Sequence, residues 1–158
     1  MRQGIEICPS RPELLCAAIE GVRRHLIGLD SAYRNAIANP DFDWGTDIDS
    51  AIAEMVVAKA HNWYWCGIGD FGADVNGYEA RHTAWDNGGL ILRPGQVKPE
   101  ARYYLVTGKA PRYTVRGWIL GRDGAIARFE VSKPKNGGPP YWLIPQDDDA
   151  MQRVGEAA

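Results

Sequence analysis

The hydrophobic period of this chain changes once, across the glycine-rich stretch 66–72, and that change constrains the fold more than any other feature. Before it, apolar residues recur at three- and four-residue steps; after it they alternate, with Gly or Pro between the runs. Leu14, Leu15, Ala18, Ile19, Val22 and Leu26 predict a helix over 12–29, with Pro12 suited to its first turn and Ser10 placed to cap it. A shorter helix is predicted over 31–38, stopped by Asn39-Pro40, and 41–45 reads as a loop. In the next helix, Thr46 and Asp49 resemble a capping box with Asp in place of Glu or Gln. Ile48, Ile52, Met55, Val56 and Lys59 keep helical spacing as far as Trp63. Asp47 and Asp49 sit where the helix dipole favours acids, and Glu54 lies mid-helix.

Beyond the change of period, strands are predicted at 73–75, 78–83, 90–93, 103–107 and 113–120. Residues 123–129 fit a short helix or another strand, 133–140 a loop, and 141–144 a last strand ahead of a frayed acidic tail over 146–158. No internal repeat and no long linker divides the chain, so one domain with its core over 46–145 is expected. Helices gathered ahead of strands imply an α/β protein of α+β character, with N-terminal helices packed on a central mixed, largely antiparallel sheet.

Composition narrows the class. At 45% hydrophobic and 24% charged, the chain fits a globular protein rather than a disordered or fibrous one. The first ten residues lack a basic-then-apolar leader, and no apolar run approaches a membrane span, so a cytoplasmic protein with no membrane partner is expected. Cys8, Cys16 and Cys66 are odd in number and form no CxxC pair, which predicts reduced, partly buried thiols. His25, His61 and His82 lack the HxxxH spacing of zinc hydrolases. Charge is segregated: residues 1–90 carry 7 Lys/Arg against 13 Asp/Glu, whereas 91–135 carry 10 against 3. The second block reads either as an anion-binding surface or as a solvated sheet face.

The most informative segment runs from Ala73 to Arg81. Asn76-Gly77 between two strand-like runs is a strong hairpin signal, because both turn positions require positive φ. A two-residue turn there would set Asp74 directly opposite Glu79, with Cβ atoms about 5 Å apart. Arg81, two residues on, would emerge on the same side. Paired carboxylates repel unless a cation lies between them or one holds a proton. Hard divalent cations take oxygen ligands, so the hairpin predicts a Mg²⁺ or Mn²⁺ site; a surface salt bridge with Arg81 is the alternative.

Glu54 on a helix, then Asp74 at a strand end, then Glu79-Ala80-Arg81 on the next strand resembles the PD-(D/E)xK nuclease superfamily, with its restriction-endonuclease-like fold, and small phage and bacterial members of it in particular. The motif residues cover only 54–81. The resemblance implies a nuclease hydrolysing phosphodiester bonds in DNA, with Asp74, Glu79 and the carbonyl of Ala80 on the metal and Glu54 completing the acidic cluster. Arg81 stands where the family has Lys. It cannot serve as a base, but it can hold a phosphate oxygen or developing charge. That departure leaves open a catalytically inactive protein of the same fold that binds nucleic acid or a protein partner.

Downstream, Arg112, Arg116 and Arg122 are the candidate phosphate contacts. Strand alternation would put Arg112, Thr114, Arg116 and Trp118 on one face, with Trp118 read as core. His82 is expected to face away from the metal, and Trp63-Tyr64-Trp65 to pack the helix end against the sheet. Gly67 to Gly72 lacks the GK[ST] of a phosphate loop. A homodimer is compatible with all of this.

Overall fold

A computed structural model describes residues 4–29, 44–67, 77–135 and 137–154. The helix expected at 31–38, the strand at 73–75 and both Asp74 and Asn76 lie outside them. In chain order the elements are β1 (Ile5–Ile7), α1 (Arg11–Leu29), α2 (Trp44–Ala60), β2 (Tyr78–Thr83), β3 (Leu90–Leu92), β4 (Arg102–Lys109), β5 (Arg112–Leu120), the single turn α3 (Gly121–Gly124), a 3-10 turn at Ala127–Phe129, β6 (Glu130–Val131) and β7 (Tyr141–Ile144).

The helices start as the sequence directs, with one exception. At α1 the Ser10 N–H donates to Glu13 Oε2 at 2.6 Å and the Glu13 N–H to Ser10 Oγ at 3.4 Å, a reciprocal capping box. The box expected at Thr46 and Asp49 is not the start of α2, which already runs at Trp44. Thr46 offers its carbonyl to Ser50 Oγ at 2.8 Å, and Asp49 Oδ2 lies 3.8 Å from His82 Nδ1. The helix also ends earlier than its apolar spacing suggests, at Ala60, where Asn62 turns to a φ of 56°.

β1, β5, β4 and β2 form one sheet in that order; β3, β7 and β6 form a second. All pairings are antiparallel except β2 with β4, which run parallel from Tyr78↔Arg102 to Thr83↔Thr107. Alternation along these strands divides the core in two. Tyr78, Ala80, Tyr104, Val106, Tyr113 and Val115 face α2, which α1 covers in turn. Tyr103, Leu105 and Ile119 face the small sheet and meet Leu90, Leu92 and Ile144. The protein is therefore a mixed α/β structure of α+β character, with helices on one face of the larger sheet and the small sheet on the other.

β5 carries an irregularity that strand alternation does not foresee. Gly117 pairs with Leu105 and Val115 with Val106, so Arg116 is an extra residue on its strand. The bulge shifts the alternation by one. Trp118 consequently joins Tyr113 and Val115 in the helix-side core and does not share a face with Arg112, Thr114 and Arg116. It is core, as expected, at 7% exposure.

Two further expectations are corrected. Cys8, Cys16 and Cys66 are all exposed. The acidic tail is not frayed as far as it is described: Met151 is buried, and the backbones of Gln152 and Trp118 exchange hydrogen bonds at 2.7 and 2.9 Å. Of the aromatic triplet, Trp63 and Trp65 pack against the core while Tyr64 faces solvent.

Candidate functional site

Among the described residues β2 is the last strand of its sheet, and a cleft of about 760 Å³ wraps this edge between α2 and the small sheet. That volume lies within the roughly 300–1,000 Å³ of ordinary ligand sites. Glu54, Glu79, Ala80, Arg81 and His82 all line it.

Alternation assigns each side chain its approach. Glu79 and Arg81 pair with Tyr103 and Leu105, which face the small sheet; Tyr78, Ala80 and His82 point toward α2. Glu54, on α2, thus reaches the cleft from the opposite side of β2 to Glu79. Its backbone carbonyl accepts from the Tyr78 hydroxyl at 3.0 Å, which fixes the helix against the strand.

Glu79 is buried and carries two cations. Lys98 Nζ donates to Oε1 at 2.7 Å. Arg81 Nη1 lies 3.4 Å from Oε2 and donates to the Ala80 carbonyl at 3.0 Å, while its guanidinium sits 5.2 Å from the Tyr103 ring centre. A carboxylate oxygen and a neighbouring carbonyl oxygen therefore aim at one point, and a positively charged nitrogen fills it. This pair of hard donors suits a cation such as Mg²⁺ or Mn²⁺.

Glu54 does not fit the same role as it stands. Both its oxygens are bound to Arg24 of α1, through Nη1 to Oε1 and through Nη2 to Oε2 at 2.6 Å. Arg24 also donates to Glu20 Oε1 at 3.0 Å and to the Gly67 carbonyl at 2.9 Å. Burial pulls the Arg24 pKa down, but its bonds and attraction to Glu54 and Glu20 outweigh that and leave it raised. Glu20 is held below its usual value, first by the Arg23 hydrogen bonds and then by Arg24, against burial. Among the described residues no three His, Cys, Asp or Glu side chains converge into a metal cage. Asp74, the other expected ligand, lies outside them.

His82 faces away from Glu79, as expected. Its Nε2 donates to the Gly108 carbonyl at 2.8 Å, which puts the proton on that nitrogen and turns Nδ1 toward Asp49 Oδ2, 3.8 Å away. A second histidine pair is buried at the start of α2: His25 Nδ1 lies 2.7 Å from Asp47 Oδ2, with Trp44 packed 4.1 Å from the imidazole.

The three candidate phosphate-binding arginines separate. Arg112 and Arg116, on one face of β5, line a second groove of about 420 Å³ together with Glu6, Asp86 and Thr114. Arg122 follows the far end of β5 and is paired with Glu100 at 2.6 Å, so it does not share that groove. Other members of the basic block are likewise engaged with acids: Lys98 with Glu79, and Arg128 with Asp148 at 2.7 Å.

Periodicity pointed to none of Lys98, Arg24 and Trp85. Lys98 sits in the irregular stretch between β3 and β4, where no pattern marks a partner 19 residues upstream. Arg24 looks like an ordinary polar face of α1 until α2 packs against it. Trp85, in the turn after β2, offered one signal: an aromatic side chain among turn formers, with no strand to bury it. No known protein family, curated protein or solved structure matches this chain.

Proposed function

We propose that the cleft at the edge of β2 hydrolyses phosphodiester bonds in DNA, in a restriction-endonuclease-like fold of the PD-(D/E)xK type. The observation that carries this reading is the convergence of Glu79 Oε2 and the Ala80 carbonyl on the point filled by Arg81 Nη1. In the proposal Glu79 and Ala80, with Asp74, hold Mg²⁺ or Mn²⁺. The bound cation would supply Lewis acidity and would lower the pKa of a coordinated water, the nucleophile for phosphorus. Arg81, displaced from the oxygens, turns its guanidinium to a non-bridging phosphate oxygen, where charge develops. Because it stays protonated, it positions and stabilises but does not remove a proton. Arg24 holds Glu54 in place at the opposite wall.

A second reading rests on a separate observation. Glu54 and Glu79 are each already neutralised by basic side chains, as in a fold that binds nucleic acid or a protein partner without cutting. Incubation of labelled single- and double-stranded DNA with the protein and Mn²⁺ separates the two. Cleavage by the native chain that disappears in Asp74→Ala and Glu79→Ala supports hydrolysis. Cleavage that survives both substitutions sinks it, and binding without cleavage selects the second reading.

A further inference from the structure

The turn Trp85–Gly88 forms a wall of both cavities. Trp85 lines the cleft that holds Glu79 and Arg81, whereas Asp86 lines the groove that holds Arg112 and Arg116. The turn is pinned at several points. The Trp85 N–H donates to Thr83 Oγ1 at 3.3 Å, and the Gly88 N–H donates to the Trp85 carbonyl at 3.0 Å. The Asp86 carbonyl accepts from Gln146 Nε2 at 2.9 Å and from Arg116 Nη2 at 3.3 Å. Despite this anchoring, Trp85 is 75% exposed. A large ring is thus held in water by a rigid turn, beside cations on either hand. That combination suits a nucleotide, whose base offers a π face to stack and whose backbone phosphate offers an anion to pair. It suits only an unstacked base, because duplex stacking hides that face.

We propose that the substrate is single-stranded nucleic acid, with one base stacked on Trp85, the neighbouring backbone phosphate against Arg112 and Arg116, and the scissile phosphate in the cleft. The proposal rests on the reading of the cleft as a phosphodiester site. Glu6 and Asp86 in the same groove oppose a dense run of phosphates and confine the contact to one or two of them.

The test uses the full chain and fluorescence anisotropy without divalent cation, so that strands are bound and not cut. The probes are an oligothymidylate, an abasic strand of equal length and a duplex. The oligothymidylate is expected to bind tightest. Trp85→Ala should weaken it by roughly 5- to 150-fold and leave the abasic strand unchanged, with Trp85→Phe in between. Arg112→Ala should weaken both strands and reduce the salt slope by about 0.7. Equal binding of base-bearing and abasic strands, no effect of Trp85→Ala, preference for the duplex, or no binding at all each overturns the proposal. Cleavage assays with Mn²⁺ keep the two readings apart. Trp85-dependent binding without cleavage sinks hydrolysis alone, and duplex cleavage indifferent to Trp85→Ala sinks the single-strand proposal alone.

Discussion

Arg24 of α1 and Glu54 of α2 meet as a two-pronged ion pair between the helices, with only 5% of the Glu54 side chain exposed. Removing one member of such a pair strands the other charge away from water, which costs about 3–5 kcal/mol. Arg24→Ala should therefore lower the unfolding free energy from urea melts by an amount of that order, since it also takes a donor from the Gly67 carbonyl and from Glu20, which keeps Arg23. Arg24→Lys keeps the charge but loses the fork and should fall between. A midpoint unmoved by Arg24→Ala would show that the pair contributes nothing to the fold.

In the proposed metal site, Lys98 would compete with the ion for Glu79. Its Nζ occupies Oε1 at 2.7 Å while more than half of its own side chain faces solvent. Solvent screening keeps such a contact at about 0.2–1 kcal/mol, or roughly a 1.5- to 5-fold change in affinity. Lys98→Ala should tighten Mn²⁺ binding by that factor in isothermal titration calorimetry, and Glu79→Gln should abolish it. Weaker binding in Lys98→Ala would mean that Lys98 supports the ion and does not exclude it.

Glu13 gives α1 an acid-sensitive anchor. Hydrogen bonding to Lys59 of α2, then to the Ser10 backbone and hydroxyl, lowers its pKa from 4.5 to about 2. A carboxyl depressed on folding stabilises above its unfolded value and loses that stabilisation as pH falls through its folded value. The contribution is therefore complete above about pH 4.5 and gone near pH 2. Glu13→Gln keeps the capping geometry without the charge. The native chain should exceed this variant by about 1 kcal/mol or less at pH 7, given the exposure of both partners. That gap should close between pH 4.5 and 2 in urea melts. A gap that is constant with pH would assign the effect to the cap alone.

Local signals marked most of the scaffold. Strong helical spacing placed α1 and α2, and alternation placed β2, β5 and β7 within a residue or so. What they could not mark depends on distant partners. β1 is three residues long, with a pattern no longer than a chance run, and exists because β5 offers it an edge. The parallel pairing of β2 with β4 needs a crossover that no local pattern encodes. The site was legible to the same depth. Glu79, Ala80 and Arg81 were found as a strand motif. The opposed approaches of Glu54 and Glu79 follow from which side of the sheet α2 covers, and the separation of Arg122 follows from Glu100, a partner in another loop.

The bulge in β5 supplies a last prediction, because one glycine permits both the parity shift and the docking of the chain's end. Gly117 has a φ of 152°, where L side chains are rare, and a Cβ there would lie 2.5 Å from the Gln152 carbonyl oxygen. That carbonyl accepts from the Trp118 N–H at 2.9 Å, so the methyl of Gly117→Ala would push away the strand partner that covers Trp118. Strain of this kind costs about 1–3 kcal/mol. Gly95 is the internal control: its φ is 80°, but nothing lies within 4 Å of its Cβ position. Gly95→Ala should thus show a conformational penalty of about 1–2 kcal/mol and no displacement. Gly117→Ala should be the less stable of the two in thermal melts, and it alone should admit proteolysis around residues 145–154. Equal stability with an uncut C-terminal segment would mean that the bridge at Gln152 yields to the methyl at no cost. The bulge would then be set by Arg116, through its 2.8 Å bond to Thr107 Oγ1, rather than by the glycine.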